Sequence, residues 1–545
     1  MPKLRSILIS LLMSGSLCIA PSTRGELFSQ PIIEWQKCLG GSGYDEMDAL
    51  TQLPGGGYIM LGWTTSDDGD VFGLHGYNAD YWLVRLNESG GKIWQQPLGG
   101  LGYDKGTCVA VCSDGGYVVA GNSTSDDNYV SGHHGTGQFT DYWVARTDSS
   151  GNILWQNSYG GTHDDGAKSI IQLSDGGYIA AGYSYSEDGD VTGHHDTYAV
   201  ADYWIIRLDA SGTLLWQKSL GGSSDEFAST IIPTADGNFI VSGSSGSSDG
   251  DVNGHHGNSW IPATDYWIVK LELSGNILWN NSFGSNGTDN TGNIQQTADG
   301  GLILSGTTFS NDGDVSGNHG ASDYWIVKLD SAGLLQWQKC LGGSDYDIGR
   351  SVIQPTSGGY VTCGYSYSNN GDVTGNHGDY DYWIAGMSSS GGLLWQKSLG
   401  GSGEDDAFDI IECRDGGYTV AGLTRSANNG DVYGMHGYVD AWIVKLGSMV
   451  VGIQNDPVEN AAAENIILYP NPVIDEAYME LFSEKNQSVS IEILDLAGRR
   501  VEMYSVNATE GKNKLVIPLR DSPAGIYFLR ILFGSHSKLC KFVKT

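Results

Sequence analysis

Aspartate pairs in glycine-rich segments are the residues of this sequence best suited to bind a metal ion. Four segments read Asp-Gly-Asp-Val-x-Gly-x-His, two begin with Asn instead, and a seventh is Asp127-Asn-Tyr-Val130. Closely spaced carboxylates together with turn carbonyls are what a hard cation such as Ca²⁺ requires. The candidate metal ligands are Asp68, Asp70, Asp188, Asp190, Asp249, Asp251, Asp312, Asp314, Asp372 and Asp431.

The same segments have a second interpretation. Aspartate caps tight turns by accepting hydrogen bonds from the nearby backbone, and the histidine would then bond a neighbouring carboxylate or pack on a tryptophan. No bidentate Glu follows the aspartates, as a full Ca²⁺ loop would need. Zn²⁺ is disfavoured because each segment offers one obvious His and no cysteine. The sequence favours the turn, with Ca²⁺ as the one cofactor it suggests.

Aromatic residues near these segments could bind sugars. The stretch between the motif and the Asp-Tyr-Trp segment that follows is longer in the first four copies than in the last three. Aromatic rings beside acids and amides hold sugars by stacking and hydrogen bonds. In the alternative interpretation, the rings pack these loops onto each other. The candidate ligand-binding residues are Trp63, Tyr77, Phe139, Tyr198 and Trp260.

The elements that position these residues are repeats. Two tryptophan segments, one around Trp35 and one around Trp82, each recur seven times and account for fourteen of the 16 tryptophans. Within one repeat we expect four strands, at residues 165–173, 177–183, 202–208 and 213–219. Four meandering strands per repeat make a propeller blade, and a strand around Trp35 would complete the last blade. The sequence predicts an all-β fold, a seven-bladed β-propeller followed by a small β-sandwich.

Strand direction places the second-to-third loops and the fourth-to-first loops on the same face of the propeller. The latter loops add a second set of acids, Asp45, Asp104, Asp165, Asp225, Asp289, Asp347 and Asp405. The repeat, with its LGGSxxD and DYWIVKL strings, resembles that of bacterial seven-bladed propeller proteins over about residues 31–447. That resemblance implies the fold and very little about function.

The C-terminal residues carry a different set of motifs. The strings YPNP, ILDLAGR, PAGIY and KFVKT lie among short alternating strands at 477–482, 489–494, 514–518, 525–532 and 538–543. Together they resemble the type A sorting domain of type IX secretion in Bacteroidetes. The resemblance implies recognition by the type IX machinery and its sortase, and secretion or attachment to the outer-membrane surface. The sorting-motif residues are Tyr469, Pro470, Asn471, Pro472, Gly525, Tyr527 and Lys541.

Composition and charge restrict the partners. A basic start and an apolar run too short to span a bilayer predict a signal peptide at 1–25. The propeller follows at 26–447, then a linker at 448–464 and the sorting domain at 465–545. Residues 26–447 hold 16 basic and 51 acidic residues, which argues against nucleic acid and anionic membranes as partners. We expect a monomer without a disulfide framework.

These features favour a secreted or cell-surface binding protein whose propeller face binds glycan or protein. One alternative is a carbohydrate-active hydrolase or lyase on the same face. The acids there belong to the repeat and no nucleophile, zinc or phosphate motif occurs, so the sequence assigns no catalytic residue. A structural or adhesion protein is the other alternative.

Overall fold

The structure is a computed structural model that describes residues 27–28, 30–195, 200–257, 263–448, 451–452, 467–469, 476–483, 485–494, 500–518, 525–533 and 536–544. The chain divides into two compact units, Gln30–Val450 and a second unit of Met1–Ser29 with Val451–Thr545. The predicted signal peptide and most of the predicted linker lie outside the described residues. No helix among the described residues is long and apolar enough to cross a membrane.

Seven four-stranded antiparallel sheets form the first unit, and they are the blades of the predicted propeller. In chain order, after β1 (Leu27–Phe28) and β2 (Ile33–Leu39), blade 1 is β3 (Asp45–Gln52), β4 (Tyr58–Thr64), β5 (Asp80–Leu86) and β6 (Lys92–Leu98); blade 2 is β7 (Asp104–Val111), β8 (Tyr117–Ser123), β9 (Asp141–Thr147) and β10 (Ile153–Tyr159); blade 3 is β11 (Asp165–Gln172), β12 (Tyr178–Ser184), β13 (Asp202–Leu208) and β14 (Leu214–Leu220).

The remaining blades follow the same plan. Blade 4 is β15 (Glu226–Pro233), β16 (Phe239–Ser245), β17 (Asp265–Leu271) and β18 (Ile277–Phe283); blade 5 is β19 (Asp289–Gln296), β20 (Leu302–Thr308), β21 (Asp323–Leu329) and β22 (Leu335–Leu341); blade 6 is β23 (Asp347–Ile353), β24 (Tyr360–Ser366), β25 (Asp381–Met387) and β26 (Leu393–Leu399); blade 7 is β27 (Asp405–Glu412), β28 (Tyr418–Thr424), β29 (Asp440–Leu446) and β2. The strands predicted for the third repeat agree with β11–β14 to within one residue.

The N-terminal strand closes the ring, as predicted. β2 pairs antiparallel with β29, and Gln36 Oε1 accepts a hydrogen bond from Trp442 Nε1 at 2.8 Å. The first strand of each blade is its inner strand, nearest the central channel. The inner strands of blades 1 and 7, β3 and β27, also meet: the Leu50 amide donates to Asp409 Oδ2 at 3.1 Å. This closure gives blade 7 its fourth strand, so β29 is not left as an exposed sheet edge.

Six of the seven interfaces between neighbouring blades contain the repeated Tyr-Trp pair. The Tyr81 hydroxyl donates to the Trp143 carbonyl of the next blade at 2.9 Å, and the two rings lie 4.6 Å apart. The same bond and ring contact recur five more times around the ring. At the closing interface Ala441 replaces the tyrosine and packs in a core with Leu39 and Met47. These fully buried aromatic pairs explain why the repeat keeps its Asp-Tyr-Trp segment.

The second unit contains two sheets around one apolar core. One sheet is β31 (Ile467–Tyr469), β32 (Glu476–Ser483) and β35 (Gly511–Pro518); the other is β34 (Arg500–Ala508), β33 (Gln487–Leu494), β36 (Gly525–Phe533) and β37 (His536–Lys544). Met479 and Ile517 of the first sheet share a buried core with Ile491 and Leu529 of the second. The predicted β-sandwich is therefore confirmed. The strands β31 and β34 were not predicted. Outside these two sheets, β30 (Val451–Gly452) pairs with β1.

Candidate functional site

The repeated histidines bond buried aspartates, as the turn interpretation expects. His75 Nδ1 lies 2.7 Å from Asp80 Oδ2, and the Asp80 carboxylate is fully buried at the start of β5. All seven blades repeat this contact at 2.6–3.0 Å. In several blades the other ring nitrogen faces the next blade, and His195 Nε2 lies 3.2 Å from Asp251 Oδ2. The histidines therefore link loops and blades.

The predicted metal-ligand aspartates bond the neighbouring loop or strand end. Asp70 pairs with Lys92 at 2.7 Å, and five others accept a glycine amide at 3.3–3.5 Å, namely Asp190, Asp251, Asp314, Asp372 and Asp431. Asp68 Oδ1 accepts the Ser42 amide at 2.6 Å, which places the two kinds of loop on one face, here named the upper face. Asp188, Asp249 and Asp312 make the same bond in their blades. Among the residues that the structure describes, no group of three or more His, Cys, Asp or Glu side chains is placed to hold a metal ion. Calcium binding stays a prediction.

A ring of buried carboxyl groups begins the inner strands. Asp104 accepts the Gly100 amide at 2.7 Å and the Ser125 hydroxyl at 2.9 Å, and burial raises its pKa to about 6. The equivalent residue in blade 4 is Glu226, not the predicted Asp225, and burial raises the pKa of Glu226 to about 7. Asp225 precedes the strand, where its Oδ1 accepts the Ala201 amide at 2.9 Å. The hydrogen bonds of Asp104 and Glu226 stay within the fold and link the start of an inner strand to the loop before it.

The three predicted sugar-binding aromatics that the structure describes lie in different environments. Tyr77 is fully exposed, whereas Trp63 is 6% exposed. Phe139 packs beside His163, with ring centroids 5.3 Å apart, so it follows the loop-packing alternative. Tyr198 and Trp260 lie outside the described residues. Their role in ligand binding stays a prediction.

Trp63 belongs instead to a second aromatic group at the upper end of the central channel. Four positions per blade lie there. Two belong to the first, inner strand: the residue before it and its second residue. Two belong to the second strand: its last but one residue and the residue that follows its end. Backbone bonds such as Thr65 N to the Tyr44 carbonyl, at 2.9 Å, join these positions. We call this set the mouth. Its aromatic members are Tyr44, Trp63, Tyr103, Tyr183, Tyr185, Phe227, Phe309, Tyr346, Tyr365 and Tyr367.

The mouth is most elaborate where blades 1 and 2 meet. Trp63 stacks on Tyr44 with centroids 4.6 Å apart and planes within 6°. Its indole N–H donates to Glu46, and Lys105 Nζ lies 3.9 Å from the Trp63 ring centroid. Burial raises the pKa of Glu46, against the lowering effect of the Trp63 and Tyr44 hydrogen bonds and of Lys105. Tyr103 lies beside the group and is 40% exposed.

Charged residues that are not repeated continue down the channel. A bulge in each inner strand adds one residue, and in blades 1, 3 and 6 that residue is Asp48, Lys168 or Arg350. Arg350 pairs with Asp406 of blade 7 at 3.0 Å. Asp48 Oδ2 and Asp406 Oδ1 are buried and have no hydrogen-bond partner among the described residues. Burial raises the pKa of Asp48 well above its usual range, and the Glu46 carboxylate raises it further.

Sequence reasoning missed the mouth except for Trp63. The signal was available in the repeats themselves, because these are positions at which the seven copies differ. The second inner-strand residue is Glu46, Lys105, Gly166, Phe227, Asn290, Ile348 and Asp406 in successive blades. A site built from differences between blades can recognise an asymmetric ligand, which the repeated His–Asp contacts cannot.

The second unit is identified by comparison with a family of known domains. Residues 467–545 match the family model of the secretion system C-terminal sorting domain. This part of the chain is a type IX sorting domain. The protein is therefore secreted or attached to the cell surface, and its sorting domain interacts with the secretion machinery. Within that domain Tyr469 ends β31, Gly525 begins β36, Tyr527 is buried and Lys541 lies on β37; Pro470, Asn471 and Pro472 are outside the described residues.

Comparisons of the whole chain give remote similarities. The regulatory protein FlaEY of Caulobacter vibrioides is 26% identical over 215 residues, which are 38% of this chain and 22% of that protein. The chain thus matches about a fifth of the length of this relative. Sqt1 from Chaetomium thermophilum shares 11% identity with a TM-score of 0.36 over 76% of this chain and 100% of that one. A gluconolactonase from Xanthomonas campestris shares 8% identity with a TM-score of 0.29, over 77% and 99%.

Proposed function

We propose that this exported protein binds glycan, and that the mouth of the propeller channel is the binding site. The observation that supports the proposal is the mouth itself, a collar of aromatic rings around charged groups that differ from blade to blade. Aromatic faces stack against the C–H faces of sugars, while carboxylates, ammonium groups and hydroxyls bond sugar hydroxyls. On the predicted boundaries, binding belongs to residues 26–447 and export to residues 465–545.

The exposed members of the collar are the ones that would contact a ligand. Tyr103, Phe309, Tyr346 and Tyr367 are 40–48% exposed, so each ring has a free surface and a packed one. The rings of Tyr346 and Tyr367 are also neighbours, with centroids 6.3 Å apart. A pre-formed surface of this kind loses little side-chain freedom when a ligand binds.

The test is binding of the full chain to an array of neutral and acidic glycans, followed by titration of the best binders. We expect Tyr103→Ala, Tyr346→Ala and Tyr367→Ala each to weaken binding about two- to tenfold, the range for losing one aromatic contact. Leu215→Ala is the control, since Leu215 is 56% exposed on the outer strand β14. No binding to any glycan, or equal losses in the control, would contradict the proposal.

A second candidate function is cleavage of the bound glycan by a hydrolase or lyase reaction. The carboxyl groups of Glu46 and Asp406 favour it, because burial raises the pKa of both and the Asp406 charge raises that of Glu46 further. A carboxyl group with a raised pKa can act as the general acid of a glycosidase, and a second carboxyl group nearby acts as base or nucleophile. Release of reducing sugar that Glu46→Gln or Asp406→Asn abolishes, with binding retained, would establish the enzyme. Binding without turnover would leave a binding protein.

A further inference from the structure

Two loops on the upper face depart from the other five in the same way. In blade 1 the loop reads Val71-Phe72-Gly73-Leu74-His75-Gly76-Tyr77, and in blade 7 it reads Val432-Tyr433-Gly434-Met435-His436-Gly437-Tyr438. Both carry an aromatic residue after the valine, an aliphatic residue before the histidine and a tyrosine at the end. The five other loops have Ser, Thr or Asn at the first of these positions and His or Asn at the second.

The polar residues of the other loops have structural roles. In blade 5, Gln338 Nε2 donates to Ser316 Oγ at 2.6 Å, which ties the loop to the outer strand β22. In blade 6, Asn376 Nδ2 donates to the Ser366 carbonyl at 2.8 Å, which ties the loop to the end of β24. Apolar side chains at these positions cannot make such bonds, so blades 1 and 7 lack both.

The backbone of the two departing loops is nevertheless held in place. Gln95 Nε2 donates to the Phe72 carbonyl at 2.9 Å, and Gln36 Nε2 donates to the Tyr433 carbonyl at 3.0 Å. Asp67 Oδ1 accepts the Gly73 amide at 2.9 Å, and Asn428 Oδ1 accepts the Gly434 amide at 2.7 Å. These bonds to the backbone hold the two loops in place, and none of them involves the aromatic rings.

These rings are exposed on two adjacent blades. Phe72 is 67% exposed, Tyr77 100%, Tyr433 61% and Tyr438 70%. Blades 7 and 1 are neighbours because β2 and the inner strands close the ring between them. Clusters of exposed large apolar side chains on soluble proteins mark binding surfaces. We call these four residues the aromatic strip.

The blade 7 part of the strip lies beside the mouth. Arg425 occupies a mouth position of blade 7, and its Cζ lies 5.4 Å from the Tyr438 ring centroid and 6.0 Å from that of Tyr44. Tyr44 in turn stacks on Trp63. On the blade 1 side, Asn78 Nδ2 donates to the Leu101 carbonyl at 2.9 Å, next to Tyr77 and at the entry to blade 2.

We propose that the aromatic strip is an extension of the mouth that binds further units of a neutral polysaccharide chain, so that the site takes an extended polymer. This inference rests on the proposed function. Three of the four rings are tyrosines, which combine a stacking face with a hydroxyl group. A neutral chain fits the surroundings, because Asp67 and Asp68 flank the strip and the propeller carries an excess of acidic residues. A negatively charged polymer would be repelled.

The experiment measures how affinity depends on chain length. Wild-type full chain is titrated with disaccharides and octasaccharides of cellulose, xylan, mannan and starch, and the series that binds is taken forward. Two loop exchanges then use sequences that this propeller already folds: F72S/L74N/Y77A gives blade 1 the blade 5 loop, and Y433T/M435N/Y438D gives blade 7 the blade 6 loop. The control S316T/A321D changes the blade 5 loop without touching an aromatic residue.

The inference expects the octasaccharide to bind about tenfold or more tightly than the disaccharide in the wild type, through additional ring contacts. Each exchange is expected to remove most of that advantage and to leave disaccharide affinity within about twofold. Unchanged octasaccharide affinity in both exchanges would overturn the strip while leaving the mouth intact. A second result would also overturn the strip and leave the mouth intact. In that result Tyr346→Ala loses binding of both the disaccharide and the octasaccharide, and the exchanges lose neither.

Failure of the proposed function has a different signature. Wild-type protein that binds no oligosaccharide of either length would overturn the mouth and the strip together. Wild-type self-association that the exchanges abolish, measured by sedimentation with oligosaccharide binding unaltered, would assign the strip to a second copy of the chain and overturn the inference.

Discussion

Replacing Asp289 by Asn is expected to change how the stability of the propeller depends on pH. Asp289 begins β19 with its side chain fully buried, and it accepts the Ser285 hydroxyl at 2.6 Å. It faces Asp265 across Gly284, where an added Cβ atom would clash with Asp265 Oδ1 and lie 2.9 Å from Asp289 Oδ2. Burial raises the pKa of Asp289 to about 7, and the Asp265 charge adds to the shift.

The sign follows from proton binding. The unfolded chain releases this proton near pH ~3.9, and the folded chain holds it to about pH 7. Stability from this group is therefore complete below pH ~4 and is lost as pH rises to about 7. About three pH units at ~1.4 kcal/mol each give about 4 kcal/mol in all, of which about 3 kcal/mol falls between pH ~5 and ~8. Because Asn does not ionise, D289N is expected to gain about 3 kcal/mol relative to wild type over that interval.

Tryptophan fluorescence during guanidinium unfolding measures this change. All 16 tryptophans lie between Trp35 and Trp442, so the signal reports on the propeller and not on the sorting domain. Both proteins are unfolded at about pH 5 and about pH 8, with Asp345→Asn at an exposed site as the control. A D289N-minus-wild-type difference that stays constant across pH would refute the assignment of a buried, protonated carboxyl group.

Four further predictions concern closure, blade packing, metal and export. Gln36→Leu removes the acceptor of the Trp442 indole N–H and is expected to cost about 1–3 kcal/mol of unfolding free energy by the same fluorescence assay; no loss would argue against closure by β2. Tyr81→Phe removes the bond to the Trp143 carbonyl and is expected to cost about 1 kcal/mol, which an unchanged unfolding midpoint would contradict. A chelator is expected to leave the melting temperature unchanged, and a rise on adding Ca²⁺ would support metal loops instead. Deletion of residues 465–545 in a host with type IX secretion is expected to retain the protein inside the cell envelope, measured by fractionation.

Strand positions in the propeller were predictable because each repeat alternates apolar residues between glycine turns. The predicted strands 165–173 and 202–208 correspond to β11 and β13 with at most one residue of difference. The missed strand β34 shows where this reasoning stops. Arg500–Ala508 has two short apolar alternations, Val501/Met503 and Val506/Ala508, which are out of phase with each other, and the first pair is exposed. Its existence follows from pairing with β33, which only the fold reveals.

In blade 4, the acidic residue that begins the inner strand lies one position after the one predicted from the sequence. Asp225 and Glu226 are both acidic, and residue type alone favoured the aspartate that the other repeats carry. Backbone register decides otherwise, because Glu226 pairs with Ser245 at the start of β15. The Gly222 amide, which donates to Glu226 Oε2 at 2.8 Å, makes the bond that other blades direct to aspartate.

The mouth could not be predicted from residue types, because its members are ordinary tyrosines and charged residues scattered along the chain. Trp63 was predicted to bind sugar because it is a tryptophan outside the repeat. In the structure it is buried, whereas a ring that stacks on a sugar must be exposed. Its ring is covered by Tyr44 on one side and approached by Lys105 on the other. The exposed rings that could stack on a ligand, such as Tyr346, lie elsewhere on the same collar.

Repeated and unrepeated residues have different roles in this propeller. The residues shared by all blades use their polar atoms within the fold: His195 bonds Asp202 of its own blade, and its other ring nitrogen faces Asp251 of the next. They make a ring that is nearly symmetric and therefore has no preferred place for a ligand. On the proposed function, recognition uses departures from that symmetry, and the described departures that expose aromatic rings include the mouth and the loops of blades 7 and 1. A loop exchange within the molecule is thus the most direct test, since it restores symmetry without introducing a sequence that the fold has not already accepted.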